Sequence, residues 1–271
     1  MPKAKHQFTY TPKNVVKQLR QLRTPSERAR TGVFYAEGAR IVAKAIESGA
    51  EIVLGVISRE LLQGEHAHKT VEALRATGSP VVDLNRAAFE SISFKENLQG
   101  IGAVVLAREE SLAAVAVEQA QLWVALDNVG NPGNLGAVMR TCDAVGCAGL
   151  ILLGKTVDPY HPAAIRASMG SFFALRMVRT SFPEFIAWKT AHHYTVIGTT
   201  PDVQQEYREV RYPPACILLM GSERLGLSAQ QQEACDVNVR IPMVGTVDSL
   251  NLGVATSIVL YEIFHQNRNP R

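Results

Sequence analysis

Five short apolar runs constrain this chain more than any other feature of it. They are LWVAL (122–126), GLILL (149–153), YTVIGT (194–199), ACILLM (215–220) and VNVRI (237–241). Runs so short and so nearly continuous suit strands buried on both faces, as in a parallel sheet covered by helices. Helical patterning fills the gaps, over roughly 134–146, 162–170, 182–192 and 228–234, and a last helix spans about 249–265. The alternation predicts an α/β domain with a mostly parallel sheet over residues 122–271.

A smaller α/β unit precedes it over residues 31–107. AEGARIVAKAIESG reads as a helix ending at Gly49, and IVLGVIS (52–58), PVVDL (80–84) and IGAVVLA (101–107) read as strands. Here too the alternation suggests a mostly parallel sheet. The stretch REESLAAVAVEQAQ (108–121) has neither glycine nor proline and separates the two halves as a linker with helical potential.

Charge is distributed unevenly. Residues 1–30 carry Lys3, Lys5, Lys13, Lys17, Arg20, Arg23, Arg28 and Arg30 against Glu27 alone, a balance of +7, whereas the rest of the chain is −4. TPKNVVKQLRQL within this arm reads as a helix. A basic arm on a slightly acidic body suggests a polyanionic partner, most simply RNA. No apolar run approaches the roughly 20 residues of a membrane span, and no secretory apolar region follows the start. Cys142, Cys147, Cys216 and Cys235 form no C-x-x-C pair, so neither zinc nor a disulfide framework is expected. Cys142 and Cys216 read as core thiols.

In an open parallel sheet a ligand sits beyond the C-terminal strand ends. That singles out the loops 127–134, 199–204, 221–228 and 242–249. The first, NVGNPGNLG, spaces its glycines three and three, and the following strand ends in Gly154-Lys155 rather than an acid. Both features fail the dinucleotide fingerprint. Asn134 reads as the N-cap of a helix whose only charges are Arg140 and Asp143. Arginine before aspartate is the less favourable order for an i,i+3 pair, which tilts Arg140 toward a ligand role. In MGSERLGLS, Gly221 allows close backbone approach to a ligand, and Glu223 stands ready to bind one or to pair with Arg224 or Arg240. In IPMVGTVDSLNLGVA, Ser249 reads as an N-cap and Asn251 lies in the first helical turn.

NPGNLGAVMRT, MGSERLGLS and IPMVGTVDSLNLGVA, in this order and spacing, closely resemble the three motifs of the SpoU/TrmH family. These are SPOUT-class RNA 2′-O-ribose methyltransferases. IRASMGSFFALRMV (165–178) resembles that family's intervening segment, and RTGVFYAEGARIVAKAI (30–46) its N-terminal substrate-binding domain, whose fold is similar to a kink-turn-binding ribosomal protein. The resemblance implies a trefoil-knotted C-terminal domain, S-adenosylmethionine as methyl donor, and a cytoplasmic homodimer with active sites at the subunit interface. It implies RNA as substrate, ribosomal RNA over transfer RNA. The alternatives are a transfer-RNA ribose methyltransferase, a base methyltransferase, or a non-catalytic RNA- or ribosome-binding protein of the same fold.

By the same resemblance Asn134, Arg140, Glu223, Ser249 and Asn251 are the catalytic set. Thr199, Gly221, Ser222, Glu223, Ile241, Met243, Ser249, Leu250 and Asn251 hold the cofactor. Arg140, with Lys13, Lys17, Arg20, Arg23, Arg28 and Arg30, meets RNA. Leu252-Gly253 stands where the family more often has Val-Ser. The family proposal makes the arginine a general base. A guanidinium releases a proton with difficulty, so Arg140 equally suits phosphate binding and alkoxide stabilisation.

Overall fold

The structure is a computed structural model and describes residues 11–94, 97–115 and 121–268. Lys3, Lys5 and the 116–120 part of the linker lie outside the described residues. The chain divides into two compact units, 1–107 with 158–174 and 108–157 with 175–271.

The first unit runs α1 (Pro12–Gln21), α2 (Pro25–Thr31), β1 (Val33–Glu37), α3 (Ala39–Glu47), β2 (Ile52–Ile57), α4 (Gly64–Ala76), β3 (Val81–Asp83), α5 (Arg86–Ile92) and β4 (Ile101–Leu106). Its sheet has the order β1-β4-β2-β3. Only β2 and β3 are parallel, and β4 runs antiparallel to both its neighbours. The expectation of a mostly parallel sheet fails in this unit. Alternating helices and strands do not dictate direction when the last strand inserts between the first two. The sequence reading also omits β1, VFYAE, which is buried along its whole length.

α1 is amphipathic and buries Val15, Leu19 and Leu22 among Val33, Leu54 and Phe89. The described part of the basic segment is therefore a packed element of the domain, not an arm. Arg28 corrects the sequence reading further. It is 4% exposed, lies 2.6 Å from the Asp158 carboxylate and donates to the carbonyls of Leu22 and Arg23. A buried, paired guanidinium is not available to RNA phosphate. The same pair, with Phe34 packed on Tyr160 and Phe172 at 4.9 and 5.4 Å between ring centres, groups 158–174 with this unit.

The second half of the chain runs β5 (Leu122–Asp127), α6 (Pro132–Ala144), β6 (Gly149–Leu153), α7 (Pro162–Ala167, in the first unit), β7 (Arg176–Thr180), α8 (Phe182–Ala191), β8 (Thr195–Thr199), β9 (Cys216–Met220), α9 (Ala229–Ala234), β10 (Val237–Val239) and α10 (Leu252–Arg268). The six strands form one sheet, β10-β8-β9-β5-β6-β7, with every neighbouring pair parallel. Trp123, Ile151, Phe185, Val196 and Ile217 sit at the centre of its core. Cys142 and Cys216 are buried, and burial pushes the Cys216 thiol up to about 12. The sequence reading omits β7, RMVRT. An edge strand with polar residues at both ends carries too little apolar signal to stand out.

Within the linker, Leu112–Ala114 form a single 3₁₀ turn. Among the described residues no helix is long and apolar enough to cross a membrane.

Candidate active site

The loops after β5, β8, β9 and β10 all leave the C-terminal edge of the parallel sheet. Three of them converge on a pocket of about 360 Å³, with its wall completed by α10. That volume lies in the range of small-molecule sites, roughly 300–1,000 Å³. Thr199, Gly221, Ser222, Glu223, Ile241, Met243, Ser249 and Leu250 all line it. Asn251 and Arg140 do not.

Asn251 acts beside the pocket. Its side-chain oxygen accepts from the N–H groups of Gly253 (2.9 Å) and Val254 (3.3 Å), so it caps α10. The sequence reading gives that cap to Ser249, whose hydroxyl instead donates to Asp248 at 3.2 Å. Asn251 Nδ2 donates to Asn134 Oδ1 at 2.9 Å, and Asn134 Nδ2 donates to Glu223 at 3.1 Å. One polar chain thus ties all three motif segments together.

Asn134 is free for this because it is not the N-cap of α6. Asn131 is, accepting from Gly133 N–H at 2.7 Å and Asn134 N–H at 3.3 Å. The signal lies in the sequence: Pro132 follows directly, and proline favours the first helical position. Glu223 completes the junction by accepting from the N–H groups of Gly130 (3.1 Å) and Asn131 (3.0 Å). It pairs with neither Arg224 nor Arg240, and Arg240 meets Glu206 at 3.3 Å. Burial pushes the Glu223 carboxyl up, but hydrogen bonds from Gly130, its own backbone, Asn134 and Asn131 outweigh it and hold the group below its ordinary value.

Gly221 lines the pocket and is also needed by the fold. A Cβ there would overlap the Gly226 carbonyl, because the turn 221–227 closes back on itself. Gly253 does similar work at the α6–α10 contact, where a Cβ would stand 3.1 Å from Ala137 Cβ. The Thr141 and Ser257 hydroxyls join the same two helices at 2.7 Å.

Arg140 is exposed on α6, two turns beyond Asn131. Among the described residues it meets no carboxylate, so the i,i+3 pair with Asp143 does not form. Also among the described residues, no three His, Cys, Asp or Glu side chains converge on a metal-sized site.

The pocket is chemically suited to an adenosine carrying a charged amino-acid tail. Met220, Leu227, Ile241 and Leu252 supply apolar wall, and Asp202 and Asp248 supply carboxylates. The buried Thr199 hydroxyl has no hydrogen-bond partner among the described residues.

A parallel sheet with such a site beyond its strand ends, joined to a separate mixed-sheet unit, defines a two-unit α/β protein with a small-molecule site. Residues 121–261 match the SpoU rRNA methylase family, and residues 13–103 match an MRM3-like substrate-binding domain. The chain is 31% identical to the 23S rRNA (guanosine(2553)-2′-O)-methyltransferase RlmP of Bacillus subtilis, over 92% of its own length and 95% of that protein. It is 31% identical to a 23S rRNA (uridine(2479)-2′-O)-methyltransferase of Streptomyces viridochromogenes, over 91% and 87%. The AdoMet-bound rRNA methyltransferase of Sinorhizobium meliloti superposes with a TM-score of 0.85 at 32% identity, over 95% of each chain. This chain belongs to the SpoU rRNA methylase family.

Proposed function

We propose that this protein transfers the methyl group of S-adenosylmethionine to a ribose 2′-hydroxyl of ribosomal RNA. One observation carries the reading. Two of the three motif segments line one pocket, and the Glu223–Asn134–Asn251 chain ties the first segment, far away in sequence, to both of them. Ribosomal over transfer RNA is supported by two 23S rRNA methyltransferases that match nearly the whole chain, the substrate-binding unit included.

S-adenosylmethionine supplies an electrophilic methyl group when bound. Thr199, Ser222, Ile241, Met243, Ser249 and Leu250 would hold it, with Asp202 and Asp248 available to its ammonium end. Glu223, Asn134 and Asn251 act as positioning residues. They fix the start of α6 and the start of α10, and so fix the loops that shape the pocket. Arg140 supplies a free guanidinium for the target phosphate and for the 2′-oxygen as it gains negative charge.

Arg140 does not line the pocket of its own chain. That supports a homodimer in which Arg140 serves the pocket of a second copy. Leu225, Val244 and Val247 on the loops after β9 and β10, and Val254 and Tyr261 on α10, are exposed apolar side chains suited to such a contact. The C-terminal region is threaded as a trefoil knot, and the enzyme works in the cytoplasm, as the family resemblance implies. Mapping 2′-O-methylation across total RNA with and without the gene tests the function. A map with no site lost would overturn it.

A further inference from the structure

The cations of the first unit's opening helices fall into two sets. Arg23 donates to the carbonyls of Ser91 and Ser93 and lies 4.9 Å from the Phe94 ring centre. Arg28 is buried against Asp158, and Arg30 pairs with Glu27. Lys13, Lys17 and Arg20 are exposed and meet no carboxylate among the described residues.

These three recur at spacings of four and three, so they share one side of α1. They span about 10 Å of helix axis. α1 carries no acidic residue. Their side forms one wall of a groove of about 1,170 Å³ between α1 and the β3–α5 segment. Val16 and Ala88, half-buried beside the buried Leu84, give the groove an apolar base. The carboxylate among its lining residues, Asp83, is held by Arg59 at 2.8 Å, which leaves the cationic wall unopposed.

We propose that this groove grips an unpaired strand of the RNA substrate through about three consecutive phosphates. The inference rests on the reading of RNA as substrate and names the surface that holds it. The three cations stand about 6 and about 4.5 Å apart along the helix axis, so each long side chain can reach its own phosphate of one flexible strand. The apolar base accepts the face of a nucleobase, which an unpaired strand offers and a duplex keeps stacked.

The test uses the full chain with Lys13→Gln, Lys17→Gln and Arg20→Gln combined. Glutamine matches lysine and arginine in helix propensity, so α1 is retained. Fluorescence anisotropy reads binding to a labelled oligouridine and to an RNA hairpin across a salt series. The expected result is at least tenfold weaker oligouridine binding at low salt. The slope of log affinity against log salt should shrink by about 2, at roughly 0.7 per lost phosphate contact. S-adenosylmethionine binding by calorimetry should not change.

An unaltered slope overturns the proposal, and a loss confined to the hairpin overturns the unpaired strand. If the triple variant melts early, Lys17→Glu alone must weaken oligouridine binding, or the groove is wrong. A failed methylation assay with the expected slope change would count against the proposed reaction and not against the groove.

Discussion

At the scale of single residues, the roles proposed for Arg140 and Glu223 divide chemistry from support. Arg140 is exposed and unpaired among the described residues, so removing it leaves no buried group unsatisfied. Arg140→Ala should keep the fold and S-adenosylmethionine affinity while lowering kcat at least about 100-fold, the scale of losing one donor to a developing anion. Arg140→Lys should recover part of that rate. Near-normal single-turnover rates in the alanine variant would remove any catalytic role.

Glu223 should behave differently. Its carboxylate accepts three N–H groups at the start of α6, and Glu223→Gln keeps its shape but loses its charge. The side chain is exposed, so water offsets part of the loss, and about 1 kcal/mol of stability should go. The folded carboxyl is held below its ordinary value. Its contribution is therefore whole above the unfolded value, about 4.5, and lost as pH falls through the folded one. Thermal melting from neutral pH down to about 3.5 should show wild type and variant converging at the acid end.

At the scale of elements, two turns are decisive. The 221–227 turn needs glycine where its backbone closes on Gly226. Gly221→Ala should open that turn and weaken S-adenosylmethionine binding at least tenfold by calorimetry, with the far-ultraviolet circular dichroism unchanged. The other is the start of α7. His161 Nδ1 accepts from Ala163 N–H at 3.1 Å, which requires that nitrogen to be unprotonated. Burial, then the nearby Arg28 charge, lower the His161 pKa against an opposing effect of Asp158. The unfolded chain takes up the proton first, so the stabilisation is whole above about 6.5 and declines as pH falls toward the folded value. His161→Ser caps without titrating. Its melting temperature should therefore depend less on pH than that of wild type between about 7.5 and 5.5.

At the scale of the molecule, the proposed homodimer would rest on the exposed apolar residues of α10. Val254 and Tyr261 lie seven residues apart on one helix face, 48% and 52% exposed. Tyr261→Glu should yield a monomer by sedimentation velocity and lose methyl transfer, because Arg140 would no longer reach a partner's pocket. A monomeric, fully active variant would show that each chain is complete by itself.

Much of this was legible in the sequence. The five apolar runs of the second half became strands of one parallel sheet, because a strand buried on both faces needs an unbroken apolar stretch. Eight of the nine cofactor residues inferred from family motifs line one pocket, since ligand loops follow strand ends wherever the sheet is parallel. Other features were not legible. β1 and β7 carry weak patterns, and strand direction in the first sheet depends on where β4 inserts. Asn131 and Asn134 are the same residue type three positions apart; Pro132 marks Asn131 as the cap, but only the packing of α6 against α10 joins Asn134 to Glu223 and Asn251. The basic residues from 13 to 30 look equivalent along the chain. Tertiary structure alone pairs Arg28 inward with Asp158 and leaves Lys13, Lys17 and Arg20 to solvent. Local sequence sets what a segment can form, whereas which partner satisfies a polar group depends on residues about a hundred positions away, brought close only by folding.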